Sequence, residues 1–377
     1  MKRSRHNEAR VKRRVFPAVL GTVLLLAGAA AGDAATLVVA NKAEATVSLV
    51  DLASGEVRAT LPTGEAPHEV AVSPDGRLAL VSNYGTRQAP GSTLTLIDVA
   101  AAQVVRTIEL GEYRRPHGVA WLPDGQRAVV TAEANRALLV IDALGGGVLF
   151  AVPTGQEVSH MVAVSPDGRR AFVTNIRSGT ATAVDLEKRE VIASVATGEG
   201  AEGVAVTPDG RQVWVTNRAA DTVSVLDAAT LDIVATLPAP AFPIRAAVTP
   251  DGSKVLVTAA KSGDIKVFDA SSRSLARSVV LEVSATETAG RLFGDAFGSS
   301  SVPIGIVIAP DGRRAFVAHA NADVISVVDL TSWQRVGALR AGKEPDGMGL
   351  SPFKVEVSSA AVELLPRCGS KGSGGTI

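Results

Sequence analysis

Apolar residues come in short runs along this chain, and turn-forming residues close each run before a helical period can build. The stretch from 202 to 237 shows the pattern. Glu202-Gly203-Val204-Ala205-Val206-Thr207 reads as a short buried strand. Pro208-Asp209-Gly210 then turns the chain, proline presetting φ and glycine supplying a positive φ. Gln212-Val213-Trp214-Val215-Thr216-Asn217 reads as a second strand, Val223-Ser224-Val225-Leu226-Asp227 as a third and Asp232-Ile233-Val234-Ala235-Thr236-Leu237 as a fourth. Alternation loosens from the first strand to the fourth, as it does where outer strands meet water.

The unit repeats. Pro-Asp-Gly recurs at Pro74, Pro123, Pro166, Pro208, Pro250 and Pro310, with a degraded copy at Ser351-Pro352-Phe353. An apolar strand ends in aspartate at Asp51, Asp98, Asp142, Asp185, Asp227, Asp269 and Asp329. A period of about 40–45 residues with four strands per period means propeller blades. The first unit, Leu37-Val38-Val39-Ala40-Asn41, starts at a second strand, and the last ends with an innermost one, Asp346-Gly347-Met348-Gly349-Leu350-Ser351. The prediction is an all-β, seven-bladed β-propeller over residues 36–352, with four antiparallel strands per blade. The C-terminal strand completes the N-terminal blade (one plus three), which removes the exposed end edges of an open array. Phe172-Val173-Thr174-Asn175 and Trp214-Val215-Thr216-Asn217 resemble the motif that names the YVTN repeat family, and the repeat spans nearly all of 36–352.

Composition agrees with strands and tight turns: 36 Gly, 19 Pro and few aromatics. The ends differ from the repeat. Residues 1–14 hold seven basic residues and one Glu, an apolar run follows to Gly28, and Ala-rich sequence comes next. Residues 1–31 read as a signal peptide cleaved between 31 and 35, because the apolar run is shorter than the ~20 residues of a membrane span. Arg13-Arg14-Val15-Phe16 also resembles a twin-arginine signal, so either export route fits. The expected location is the periplasm or outside the cell, with no stable membrane span after cleavage. Without residues 1–31 the chain carries 31 Lys+Arg against 37 Asp+Glu, a mildly acidic balance that argues against a nucleic-acid partner. The single cysteine, Cys368, lies in the 353–377 tail and permits no internal disulfide, and the absence of CxxCH argues against covalent c-type haem. A monomer is expected.

Candidate chemistry follows from the register. The residue that opens each innermost strand should face one mouth of the central channel. In order these are His68, His117, His160, Glu202, Ile244, Ile304 and Asp346, with Asp346 beside His68 once the ring closes. His319, in place of the usual Asn at the end of a second strand, is assigned to the same face, and Arg114, Arg115 and Arg245 flank it. The ligand-binding set is therefore His68, His117, His160, Glu202, Arg245, His319 and Asp346. Neutral imidazoles at His68, His117 and His160 are a candidate transition-metal set, with a carboxylate nearby to orient a ligand or act as base. Equally, each such His can simply hydrogen-bond a neighbouring loop. The aspartates repeated in every blade are assigned to turns, and no GxSxG elbow supports a serine triad. The one long insertion, 282–303, carries Phe293 and Phe297 and is expected near the channel mouth.

Fold alone does not select a function. The resemblance to periplasmic YVTN proteins implies a binding or scaffold module, holding a small polar molecule or a periplasmic protein, and this non-enzymatic reading is preferred. The chain also resembles lactonase-like propellers, which implies an enzyme at the same mouth, lactone-hydrolysing or metal-dependent; no catalytic motif of theirs can be placed here. Haem d1 proteins of denitrification use related repeats, but with eight blades and a histidine ligand, and seven blades depart from that pattern.

Overall fold

A computed structural model describes residues 35–356; the segment assigned as signal peptide and the tail from 357, with Cys368, lie outside the described residues. Seven antiparallel sheets of four strands each make the blades. Blade I consists of Pro345–Ser351, Thr36–Asn41, Thr46–Asp51 and Val57–Pro62, from the axis outward. Blade II runs in simple chain order through Pro67–Val72, Leu78–Gly85, Pro90–Asp98 and Gln103–Glu109. The innermost strands of blades III to VII are Pro116–Trp121, Ser159–Val164, Ala201–Val206, Pro243–Val248 and Pro303–Ile308. Each innermost strand packs on the next, and Pro345–Ser351 packs on both Pro303–Ile308 and Pro67–Val72, so the ring is closed. Among the described residues no helix is long and apolar enough to cross a membrane.

Closure takes the form that the ends of the repeat predict. Thr36 pairs with Ser351, Leu37 with Leu350, Val38 with Gly349 and Val39 with Met348. The degraded turn keeps its place underneath. A Cβ built on Gly168, Gly210 or Gly252 would meet the turn proline of the preceding blade, and one on Gly76 would meet Pro352 in the same way. Val355 continues from there to pack on the core between blades I and II, outside any strand.

The repeated residues hold the strands in register. Each strand-ending aspartate accepts backbone N–H groups just beyond it, as Asp227 does from Ala229 at 2.8 Å and Thr230 at 2.9 Å. The Thr of the Val-Thr-Asn motif joins one blade to the next. Thr216 Oγ1 donates to the Ile244 carbonyl at 2.7 Å, and its counterpart Thr131 donates to the His160 carbonyl at 2.6 Å. The Asn joins second strand to third, Asn217 Nδ2 donating to Thr222 and Ser224 Oγ atoms at 3.0 Å each. Innermost strands approach so closely that a Cβ on Gly347 would lie 2.4 Å from the His68 carbonyl oxygen. This spacing pulls the first residues of the innermost strands together at one mouth.

Candidate functional site

His68, His117, His160, Glu202, Ile244, Ile304 and Asp346, one from each blade, all line one cavity of about 660 Å³. Arg245 and Arg115 line it as well, whereas Arg114 and His319 do not. His319 is fully buried within blade VII. Its Nδ1 pairs with Ser301 Oγ at 2.7 Å and its Nε2 with Ser326 Oγ at 2.8 Å. It thus does for blade VII what Asn217 does for blade V, and both ring nitrogens are used. From the 282–303 insertion, Leu292 and Phe293 reach the cavity. Phe293 and Phe297 pack on Phe242 at centroid distances of 5.3 and 4.9 Å. Arg291 fastens the base of this segment to Asp323 at 2.7 Å.

The three mouth histidines form a stack. His68 meets His117 edge-on at 4.9 Å between centroids, and His117 lies 3.7 Å from His160. His68 Nδ1 is 2.8 Å from the Ala66 carbonyl oxygen. His117 Nδ1 is buried with no hydrogen-bond partner among the described residues. His160 is the connected one: its Nδ1 lies 2.5 Å from Glu133 Oε1 and its Nε2 3.4 Å from Glu202 Oε1. The second contact is an ion-pair distance without hydrogen-bond geometry, since Nε2 has no hydrogen-bond partner.

Around this stack runs a chain of buried polar groups. Tyr84 Oη donates to Glu133 Oε2 at 2.6 Å. Glu202 also accepts from Arg218, and from Arg245 Nη1 at 3.2 Å. Arg245 Nη2 reaches across the channel to Glu69 Oε1 at 2.6 Å. Arg245 and Glu69 occupy the same register position in blades VI and II, the one that four other blades fill with glycine. Tyr84, Glu133, Glu69 and Arg218 are site residues that the opening-residue register does not reach.

With this geometry in view, likeness to other proteins becomes informative. Residues 21–127 match the YNCE-like beta-propeller family and residues 124–255 the Cytochrome D1 heme domain family. A functionally unknown protein from Desulfotomaculum acetoxidans superposes with a TM-score of 0.71 at 16% identity, over 85% of this chain and 99% of that one. The chain is a YVTN-like β-propeller. Hydrazine synthase of Kuenenia stuttgartiensis aligns with this propeller at a TM-score of 0.63 and 20% identity, over 78% of this chain and 92% of that one. The dihydro-heme d1 dehydrogenase NirN, in complex with DHE, aligns at 0.59 and 18%, over 84% of this chain and 75% of that one. Identities this low carry fold and no activity. No curated protein matches the propeller.

Burial sets the charge states in the propeller's mouth. It pushes His68 and His117 far below the ordinary imidazole value, with Lys42 and His160 adding to the effect, so both rings are neutral. Burial also pulls His160 down, but Glu202 and Glu133 outweigh it and the net direction is up. Glu202 feels the opposite balance: burial raises it, while His160, Arg218 and Arg245 bring it to about 2. Asp346 is raised to about 7, by burial first and by Glu69 and Glu344, against Lys42 and Arg245. Its Oδ1 has no hydrogen-bond partner among the described residues.

The Asp346 shift makes a signed prediction. Between the ordinary carboxyl value and about 7 the folded chain holds a proton there that the unfolded chain releases. The carboxyl therefore costs nothing in acid, costs progressively more as pH rises, and costs most above about 7. Asp346→Asn should unfold at a higher temperature than the parent at pH 8 and at nearly the same temperature at pH 3.5. A lower midpoint at pH 8 would contradict this.

Proposed function

We propose that the protein is an exported binding propeller that holds a small anionic molecule, of the carboxylate class, in its histidine-lined mouth. The observation that carries this reading is the charge left over at the rim. The inner carboxylates Glu69, Glu133 and Glu202 are each answered by a cation or a hydroxyl already named. Arg87 and Arg115 line the same cavity, Arg115 lying over the Tyr84 ring at 5.0 Å, and neither makes an ion pair with a carboxylate among the described residues. Neutral imidazoles below and unpaired guanidinium groups above suit a ligand that is polar at its base and negative at its rim. Leu292 and Phe293 supply the apolar wall, and the 282–303 segment acts as a lid. The basic, apolar and Ala-rich order of residues 1–31 supports export to the periplasm.

For an enzyme at the same mouth Glu202 is the poorer general base, and Asp346, raised to about 7, is the better placed one. Three cations hold Glu202 at about 2, whereas an effective general base sits near the working pH.

Thermal unfolding of the full-length mature chain with citrate as probe tests the anion reading. Citrate should raise the midpoint saturably in low salt, by an amount set by ligand excess over Kd (about 2.7 kcal/mol at a hundredfold excess). Arg87→Ala combined with Arg115→Ala should remove the shift and leave the ligand-free midpoint unchanged. No saturable shift with citrate, phosphate or haemin would overturn the reading.

A haem-type ligand is a second reading, favoured by one observation. The stretch matching the Cytochrome D1 heme domain family, 124–255, contains Glu133, His160, Glu202 and Arg245. The mouth also fits such a group, since His117 Nδ1 is an imidazole nitrogen without a partner and the rim arginines suit its carboxylates. Bound haem would supply redox or ligand-binding iron chemistry; the chain's own residues would hold and orient it. Haemin added to the protein should then give a shifted Soret band that His117→Ala alters, while citrate protection alone would leave the first reading in place.

A further inference from the structure

The geometry points to a divalent transition-metal site formed by His117, His160 and Glu133 at the floor of the mouth, with its open coordination position facing the cavity. Among the described residues these three form the group whose ligand atoms all lie within 4.8 Å of one another. His68 is not in it, and its Nδ1 is taken by the Ala66 carbonyl at 2.8 Å. The set therefore differs from the three histidines that the blade register puts forward: a carboxylate takes the place of the first imidazole.

One assignment of atoms uses the free nitrogen of His117 and the free oxygen of Glu133. His117 Nδ1 is buried and unpartnered, which makes it a ligand atom with nothing to displace. Glu133 Oε2 is held by Tyr84 Oη at 2.6 Å, leaving Oε1 to bind. That Oε1 lies 2.5 Å from His160 Nδ1, so the ion displaces the proton of this contact and the two atoms part to take bonds of about 2 Å each. His160 Nε2 then keeps its hydrogen and faces Glu202 Oε1 at 3.4 Å. Tyr84 then fixes the ligand carboxylate of Glu133, as outer partners do around metal ligands, and Glu202 lies at ion-pair distance behind His160. Two imidazoles and one carboxylate are a donor set for zinc and its neighbours, with a fourth position free for water or an anion. Burial favours a site of this kind: His117 is 2% exposed and His160 7%.

The proposal does not rest on the anion reading, and its test uses the ion alone. The full-length mature chain, stripped with a chelator and exchanged into chelator-free buffer, is titrated with Zn²⁺ by calorimetry. One ion per chain is expected. Glu133→Gln, which preserves shape, should abolish stoichiometric binding, as should His117→Ala. Tyr84→Phe should weaken it by about 10–100-fold, the usual effect of losing an outer partner. His319→Asn, which restores the residue other blades use at that position, should bind like the parent. Circular dichroism confirms that each variant is folded, and if His117→Ala is not, Glu133→Gln alone decides. Wild-type protein that takes up less than about a tenth of an equivalent, far below the occupancy of a dedicated site, would overturn the proposal. So would Glu133→Gln binding at wild-type affinity.

Discussion

A chain ending at Glu344 should lose the cooperative unfolding transition of the propeller, although it keeps six complete blades. Pro345–Ser351 is the innermost strand of blade I and the neighbour of the innermost strands on either side. Its removal uncovers Thr36–Asn41, a strand whose six residues are all buried. The ladder from Thr36–Ser351 to Val39–Met348 goes with it, as does the bond from Ala35 N to the Ser351 carbonyl at 2.8 Å. Buried amides left without partners cost about 1–3 kcal/mol each. Several such losses, added to an opened channel, approach the whole stability of an ordinary domain, about 5–15 kcal/mol. Urea unfolding followed by the fluorescence of Trp121, Trp214 and Trp333 reads this directly. A permutant that places 345–351 ahead of Thr36, through a Pro-Asp-Gly turn like those of the other blades, should recover a sharp transition, because only the connection has changed. A truncated chain with the parent's urea midpoint would show that closure contributes little.

The blades were legible because their signals act locally. A turn proline, a following glycine and a strand-ending aspartate each do their work within about three residues, so their roles survive in a linear reading. The seven mouth positions follow from the same register and all line one cavity. The partners that complete the site do not follow from it. Tyr84 is available because Leu78–Gly85 runs two residues past the point where the other second strands stop, pairing Gly85 with Pro90. Glu133 sits in a 3-10 turn just after a second strand. Glu69 is one position past the mouth residue and finds Arg245 across 176 residues of sequence. These depend on strand overshoot and on pairing across the ring, which no local pattern encodes. His319 is different, because a usable signal existed. In the same register Asn41, Asn83, Asn175 and Asn217 all bond hydroxyls on the third strand. Ser326 stands in the equivalent place opposite His319, so the imidazole takes over a bond inside the blade rather than facing the mouth.

Glu202→Ala should be the most damaging single substitution in the mouth, costing about 3–5 kcal/mol, the loss typical when one member of a buried ion pair is removed. Glu202 is 4% exposed and touches three cations. These are Arg218, Arg245 at 3.2 Å and His160 at 3.4 Å. Without it, Arg245 keeps only Glu69 and His160 only Glu133 within ion-pairing distance, and both remain buried. Arg218 also loses the contact that holds it near Phe242, 5.4 Å from the ring centroid, so the base of the aromatic cluster under the insertion loosens with the site. Glu202→Gln keeps volume and an acceptor but removes the charge, and should cost less than the alanine change. The pH dependence separates charge from packing. Because the carboxyl is held at about 2 when folded, against 4.5 ordinarily, its stabilising effect is complete above pH 4.5 and fades as pH falls toward 2. Parent and Glu202→Gln should therefore differ most in urea midpoint at neutral pH and draw together below pH 4. A gap that stays constant from pH 7 to pH 3 would assign the loss to packing, and a Glu202→Ala protein within 1 kcal/mol of the parent, the scale of an exposed pair, would mean that water already screens these charges.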